Sequence, residues 1–134
     1  MEEHKKRSLA ADSIITEKGK IILVKRDIDP FKGEWCIPGG HVQYEETVEE
    51  AAIRESKEET GLEIELDEIL GVYSKPGRDP RGNVVTITFK AHSVGGNLKA
   101  STDAAEAKWF DLDNLPDLAF DHKKILRDYR EKFM

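Results

Sequence analysis

A dense run of glutamates lies in the first half of the chain. Seven of them fall between positions 45 and 59, where only Arg54 and Lys57 oppose them, so this window carries −5 of the chain's net charge of −6. A charge run of this kind is most often the solvated face of a helix. The alternative is a group of carboxylates that binds a hard divalent cation, because all-oxygen ligand sets suit magnesium or manganese.

Helical periodicity favours the second interpretation. At about 100° per residue, Glu55 and Glu59 continue the apolar stripe that starts at Val48, and Glu58 lies at its edge. Unpaired buried carboxylates cost roughly several kcal/mol each, so a converging set requires a positive partner. Arg54 flanks this set and can hold one of the carboxylates by a bidentate pair.

The helix that must position these side chains has recognisable ends. Thr47 and Glu50 have the spacing of a capping box, which predicts a helix from about residue 48 to residue 60. Gly61 follows where a left-handed C-terminal cap is expected. The predicted helix therefore contains most of the acidic window.

Strands dominate the rest of the chain. Alternating or β-branched apolar runs predict strands near residues 9–15, 21–24, 64–72, 84–91 and 107–110, with a turn at 17–20, loops at 27–40, 74–83 and 95–97, and a last helix that Asp121 caps. Two helices at separate positions among strands predict an α+β fold with α/β/α layers, in which a mixed sheet lies between helices. The length predicts a single domain over residues 1–134.

Composition excludes several classes of protein. The chain is 38% hydrophobic and 36% charged, and its acidic balance argues against a surface that binds nucleic acid through bulk charge. The single cysteine, Cys36, excludes an internal disulfide framework and an all-cysteine zinc site. The apolar runs are too short to span a membrane, and the first residues lack the apolar core of a signal peptide. We therefore expect a cytoplasmic protein with no membrane partner.

Residues 40 to 62 resemble the Nudix box, the signature of hydrolases that act on nucleoside diphosphates linked to another moiety. Ser56 stands where the family usually has an aliphatic residue, and we expect repacking there rather than loss of function. The order of predicted strands and helices is also similar to the family fold over nearly the whole chain. Every fixed position of the box is matched, by Gly40, Glu46, Arg54, Glu55, Glu58, Glu59, Gly61 and Leu62.

The resemblance implies a role for each matched position. Bound divalent cations neutralise phosphates and lower the pKa of bound water. The general base implied is either Glu55 or a carboxylate outside the box, Asp103 or Glu106. The resemblance further implies that Mg²⁺, with Mn²⁺ as the alternative, is bound by Glu55, Glu58, Glu59 and the Gly39 carbonyl, that Glu46 supports the loop, that Arg54 orients a glutamate, and that Gly40 and Gly61 are required by the backbone.

A basic loop outside the box offers contacts to a substrate. Residues 74–83 include Lys75, Arg78 and Arg81. The loop is either a solvated turn or a clamp for phosphate or ribose, since arginine forks match such groups. Together with the segment 115–122, it resembles small microbial ADP-ribose pyrophosphatases of the Nudix family.

The activity that the resemblance implies is hydrolysis of ADP-ribose to AMP and ribose 5-phosphate. Two alternatives stay open: a house-cleaning hydrolase of normal or oxidised nucleoside triphosphates, and a non-catalytic nucleotide sensor on the same fold. Sensors usually lose box glutamates, whereas this chain keeps them all. The expected partners are a small nucleotide and a second copy of the chain in a homodimer. His41 and His122 have no second nitrogen ligand at metal spacing, so neither is predicted to bind metal.

Overall fold

The structure is a computed structural model that describes residues 5–99 and 104–134. Neither of its two described helices has the length and apolar character needed to cross a lipid bilayer. Within the described residues the elements are β1 (Ser8–Glu17), β2 (Lys20–Arg26), β3 (Trp35–Cys36), β4 (Gly39–His41), α1 (Val48–Thr60), β5 (Leu62–Tyr73), β6 (Val84–Gly96), β7 (Ala104–Asp111) and α2 (His122–Phe133).

A mixed sheet organises the molecule. β1 runs parallel to β6 from Ser8 to Ile15 and antiparallel to both β2 and β4. The β1–β2 hairpin is paired next to its turn, where Thr16 and Glu17 face Ile21 and Lys20. Further from the turn the two strands separate. β2 continues between β3 and β7, whereas β1 continues beside β6, whose other neighbour is β5. The predicted mixed sheet is confirmed.

The two helices cover opposite faces of this sheet. Ala11 of β1 packs with Ala51 of α1, whereas Ile14 on the other face packs with Ile125 of α2. Residues 10–15 are therefore all buried, including the polar residues Asp12 and Ser13. The α/β/α layering predicted from the order of elements is confirmed.

Both ends of α1 form as the sequence predicts. The Thr47 hydroxyl accepts the Glu50 backbone N–H at 3.0 Å, and the Glu50 carboxylate accepts the Thr47 N–H at 3.0 Å. Gly61 ends the helix with a φ of 77°, the left-handed conformation that glycine adopts without a steric penalty. These local signals fix where the acidic side chains lie along the chain.

Three predicted loop or strand bounds were wrong. The predicted loop 27–40 contains β3 and the first two residues of β4, which form because β2 and β1 offer them edges to pair with. β6 continues through the predicted loop at Gly95 and Gly96, because both residues pair with the start of β5. β7 begins at Ala104, earlier than predicted, because it pairs with β2 as far as Arg26.

The start of α2 also differs from the prediction. Asp121 is the residue before the helix, but its side chain makes no capping hydrogen bond. Its carboxylate is instead held by the guanidinium of Arg78, at 2.8 and 2.9 Å. The predicted cap is therefore replaced by a tertiary ion pair.

Candidate functional site

A short loop carries the two glycines of the box against helix α1. On the β1 side, the Ser13 N–H donates to the Pro38 carbonyl at 2.9 Å. On the α1 side, the Gly39 N–H donates to Glu59 Oε1 at 3.2 Å. Gly40 lies so close to α1 that a Cβ there would be 2.5 Å from Glu55 Cδ, so any larger residue would displace the Glu55 carboxylate.

Glu55 and Glu59 converge as the periodicity predicted. Both side chains are partly enclosed, and both lie against the loop of the box, Glu59 through the Gly39 N–H and Glu55 beside Gly40. Burial, followed by the negative charge of Glu55, raises the pKa of Glu59 well above its usual value. The pair is therefore short of positive charge in the absence of a bound cation.

Arg54 supplies part of that charge from the flank of α1. Its guanidinium makes a bidentate pair with Glu46, at 2.6 and 2.9 Å, and this pair lowers the pKa of Glu46. The remaining nitrogen donates to Glu55 at 2.8 Å and to Glu58 at 3.2 Å. The sequence predicted a bidentate pair with a carboxylate of the set Glu55, Glu58 and Glu59, but the bidentate partner is Glu46, and Glu55 and Glu58 share the third nitrogen.

The donor set fits a hard divalent cation. Two enclosed carboxylates with a charge deficit face the Gly39–Gly40 backbone, and oxygen ligands of this kind suit Mg²⁺. Glu58 is different, because its side chain is 53% exposed and paired with Arg54. Across residues 5–99 and 104–134, no three His, Cys, Asp or Glu side chains are already gathered closely enough to hold an ion.

A small cavity of about 70 Å³ opens beside the same loop. Its lining combines carboxylate and guanidinium groups with the glycines of the box, and includes Asp12, Arg26, Arg81, Phe120 and His122. This volume is about twice the ~30 Å³ that one water occupies in the liquid, so it accommodates a small polar group rather than a nucleotide.

Arg78 is the most enclosed of the three basic residues in the loop of residues 74–83. Its side chain is only 7% exposed, so the solvated-turn interpretation is wrong for this residue. Besides its two bonds to Asp121, it donates to the Val84 carbonyl at 3.3 Å and to the Thr86 hydroxyl at 3.0 Å. Arg78 therefore ties the loop to α2 and β6. Lys75, by contrast, is exposed and is not part of the cavity lining described above.

Two guanidinium groups stack on one aromatic ring in the cavity. Arg81 lies 4.8 Å and Arg26 lies 4.9 Å from the centroid of Phe120. Arg81 is neutralised by Asp79, which accepts at 2.8 and 3.1 Å. Arg26 donates through Nε to the Pro30 carbonyl at 2.6 Å, but its buried Nη2 has no hydrogen-bond partner among the described residues. Nη2 is therefore an unsatisfied buried donor on a residue that lines the cavity.

Asp12 and His122 form a buried polar contact at the base of the cavity. His122 Nδ1 accepts the Ile37 backbone N–H at 3.0 Å, and its Nε2 lies 3.7 Å from Asp12 Oδ2. Burial lowers the pKa of His122 to about 4 and raises the pKa of Asp12 to about 7. The imidazole is therefore neutral at physiological pH, and the contact is not an ion pair.

The depressed pKa of His122 predicts a pH dependence of stability. Between pH 6.5 and 4 the unfolded chain binds a proton that the folded chain excludes, so the free energy of unfolding falls as the pH falls. Relative to a His122→Asn variant, which cannot titrate, the wild type should lose roughly 2 kcal/mol between pH 7 and pH 5. Urea unfolding of both metal-free proteins at each pH measures this difference.

The comparison isolates the imidazole from its charged neighbours. Asp12, Asp79, Asp121, Arg78 and Arg26 act on His122 in the wild type and are retained in the variant. The opposite contribution of Asp12, whose raised pKa removes stability as the pH rises, therefore largely cancels in the difference. A gap between the two proteins that does not change with pH would contradict a neutral buried imidazole.

Glu106 lies apart from this cluster. Its side chain is exposed on β7, opposite Lys25 of β2, and it is not in the lining of the cavity described above. The other carboxylate suggested outside the box, Asp103, is outside the described residues. Glu106 as general base stays a prediction.

Four functional candidates were missed by the sequence analysis or given no role in it. Asp12 was the most detectable, because it is the one charged residue in an otherwise apolar or small stretch of β1. His122 lies in the segment 115–122 and was considered only as a metal ligand. Arg26 and Phe120 have no local signal, because their contact is tertiary. Cys36 is buried, and burial raises the pKa of its thiol to about 12.

Comparison with known proteins identifies relatives of the whole arrangement. A family model described as the NUDIX domain matches residues 6–129. The chain is 57% identical over 122 residues to an ADP-ribose pyrophosphatase from Methanocaldococcus jannaschii. The aligned region covers 91% of this chain and 72% of that protein.

Solved structures give the same result. A NUDIX hydrolase from Nitrosomonas europaea superposes with a TM-score of 0.85 at 27% identity, covering 97% of this chain and 74% of that one. The NUDIX domain of Shewanella oneidensis NrtR, crystallised with ADP ribose, superposes with a TM-score of 0.83 at 28% identity, covering 98% and 91%. The similarity in fold extends over nearly all of this chain.

Proposed function

The chain belongs to the NUDIX family, and from that premise we propose that it hydrolyses the pyrophosphate bond of ADP-ribose to give AMP and ribose 5-phosphate. The observation that supports a hydrolase is the convergence of Glu55 and Glu59 on the Gly39–Gly40 backbone, beside a cavity lined by arginines. The similarity to the archaeal ADP-ribose pyrophosphatase supports the choice of substrate.

The proposed ligands of the divalent cation are Glu55, Glu58, Glu59 and the Gly39 carbonyl, with Mg²⁺ preferred over Mn²⁺. When bound, the cation neutralises the pyrophosphate and lowers the pKa of water. Glu55 and Glu59 are positioned by α1, while the half-exposed Glu58 must turn from Arg54 to complete the set. The pair between Arg54 and Glu46 holds the loop end of the site, so that Arg54 orients Glu55.

The basic side of the cavity is the proposed site of substrate anions. Arg26 offers an unpaired donor, Nη2. Arg81 offers its guanidinium, and its side chain is 40% exposed. Both line the same cavity as Gly39 and Gly40. An acidic edge that binds the cation and a basic edge that binds a phosphate oxygen together orient a pyrophosphate. Arg78 contributes through the loop that it anchors, and Lys75 only through its charge.

Replacing Arg81 with alanine should raise KM for ADP-ribose by about tenfold and leave kcat within about threefold, because binding is lost equally from the ground and transition states. Lys75→Ala is the matched control, since it removes a positive charge from the same loop outside the cavity. Steady-state kinetics with ADP-ribose measure both variants. Equal KM values for Arg81→Ala and the wild type would remove Arg81 from the proposed subsite.

Glu106 is the proposed general base. Assistance of this kind is worth roughly 10²–10⁴-fold, so Glu106→Gln should lower kcat at neutral pH by at least about tenfold while leaving Mn²⁺ binding nearly unchanged. Raising the pH should restore part of the rate, as hydroxide replaces the assisted water. Asp113→Asn, at an 86% exposed side chain on a separate loop, is the control. Wild-type kcat for Glu106→Gln would instead assign the base to Glu55.

One substrate panel tests the proposed function. ADP-ribose, diadenosine polyphosphates, NADH, and normal and oxidised deoxynucleoside triphosphates are each assayed with Mg²⁺ and with chelator. The proposal expects the highest kcat/KM with ADP-ribose and none with chelator. Preference for an oxidised triphosphate would support the house-cleaning alternative, and binding without turnover would support a sensor.

Three further properties are part of the same proposal. A single domain over residues 1–134 is supported by one sheet to which every described strand belongs. A homodimer is proposed from the family resemblance, with sedimentation equilibrium as its test. A cytoplasmic location is supported by the unpaired thiol of Cys36, which suits a reducing compartment.

A further inference from the structure

The geometry points to His122 as a positioning residue for the loop of residues 36–40, and through that loop for the Gly39 carbonyl and the Gly40 backbone. We infer that its neutral imidazole holds the Ile37 amide so that both glycines stay against α1. This inference rests on the proposed function, because it concerns the loop to which that function assigns a cation ligand.

The loop is fixed from three directions, and His122 supplies one of them. β1 binds the Pro38 carbonyl through the Ser13 N–H, and α1 binds the Gly39 N–H through Glu59. The third contact is that of His122, at the start of the loop, where the Ile37 N–H donates to His122 Nδ1 at 3.0 Å. Because Ile37 is 2% exposed, no water replaces this acceptor if it is lost.

The chemistry of the contact requires the acceptor form of the imidazole. Nδ1 accepts, so the ring proton is on Nε2, which faces Asp12 Oδ2 at 3.7 Å. Asp12 in turn lies against Gly39, where a Cβ would collide with its Oδ1. His122 therefore contacts the loop directly at Ile37 and indirectly at Gly39.

His122 is itself held in place by the chain on its N-terminal side. The Ala119 N–H donates to the Trp35 carbonyl at 2.8 Å, which docks this segment along the start of the same loop. The preceding residue, Asp121, is bound by Arg78 at 2.8 and 2.9 Å. The imidazole is thus placed between the anchored basic loop and the loop of the box.

A histidine with a purely structural role would be buried in the same way, so burial does not test the inference. The test is whether a variant that restores the acceptor for the Ile37 amide behaves like the wild type. In His122→Asn, the side-chain oxygen can occupy the position of Nδ1 and accept the Ile37 amide. His122→Leu removes the acceptor, and His122→Gln moves it further from the backbone. Tyr129→Phe is the matched control, because it removes a hydrogen bond from α2 to Thr16 without touching the loop.

The first readout is Mn²⁺ affinity, measured by electron paramagnetic resonance on the 134-residue protein without substrate. Removal of residues that orient metal ligands typically weakens affinity by about 10–100-fold, so we expect about a tenfold loss for His122→Leu and His122→Gln. His122→Asn should stay within about threefold of the wild type, as should Tyr129→Phe. Equal affinities for the Asn and Leu variants would overturn the inference, and the Gln variant serves if Leu does not fold.

The second readout does not depend on the proposed function. Hydrogen exchange of the Ile37 amide should accelerate at least about tenfold in His122→Leu or His122→Gln and return towards the wild-type rate in His122→Asn. If wild-type protein binds no Mn²⁺, the proposed function fails while the exchange result still decides the role of His122. Unchanged protection of Ile37 in both acceptor-free variants would overturn the inference.

Discussion

Replacing Glu59 with glutamine is expected to lower kcat by more than about a hundredfold and, at the same time, to stabilise the metal-free protein. The loss of activity follows from removing a negative ligand of the proposed cation. The gain in stability follows from the pKa of Glu59, which burial and the charge of Glu55 raise well above its usual value. A neutral amide at this position removes the repulsion between two enclosed carboxylates.

Two other glutamates of α1 serve as controls for this prediction. Glu49→Gln, at an exposed position on the opposite face, should leave both kcat and stability unchanged. Glu58→Gln should lower kcat by a similar factor without stabilising the protein, because its carboxylate is half-exposed and paired with Arg54. The measurements are steady-state kinetics with Mg²⁺ and thermal unfolding in chelator. Similar losses of kcat at positions 49 and 59 would contradict the proposed metal face, and a lower Tm for Glu59→Gln would contradict the charge deficit.

The placement of the proposed metal ligands on α1 was predictable because every step of it is local. Thr47, Glu50 and Gly61 define the helix within the chain segment that they bound. The 3.6-residue period then decides that Glu55 and Glu59 point inward while Glu49 does not. Neither inference needs a contact distant in sequence, and the structure confirms both.

The cavity was less predictable, because its contacts join residues far apart in the chain. The hydrogen bond between Ile37 and His122 spans 85 positions, and the pair between Arg78 and Asp121 spans 43. Local patterns assigned Asp121 to a helix cap and Arg78 to a solvated turn or a clamp. The tertiary ion pair replaces the cap and is inconsistent with a solvated turn at Arg78. Hydrophobic periodicity likewise predicts β1 as a strand but not that it lies between two helices, because layering depends on the order of strands in the sheet.

Replacing Arg78 with alanine is expected to cost roughly 3 kcal/mol of the free energy of unfolding, the lower end for breaking a buried pair. The lower end applies because the Asp121 side chain retains 23% exposure, whereas that of Arg78 retains 7%. The variant leaves the Asp121 carboxylate unpaired and removes the donors to the Val84 carbonyl and the Thr86 hydroxyl. Arg78→Lys should recover only part of this loss, since an ammonium cannot reproduce the bidentate fork.

Urea unfolding of the metal-free proteins measures these effects, with Arg130→Ala as the matched control. Arg130 also pairs with an aspartate and a backbone carbonyl, but Asp113 is 86% exposed, so its loss should cost about 1 kcal/mol or less. Combining Arg78→Ala with Asp121→Asn should recover part of the stability, because the second change removes the unpaired charge. If Arg78→Ala costs no more than Arg130→Ala, the pair does not anchor the basic loop. The position of Arg81 would then depend on Asp79 and Phe120 instead.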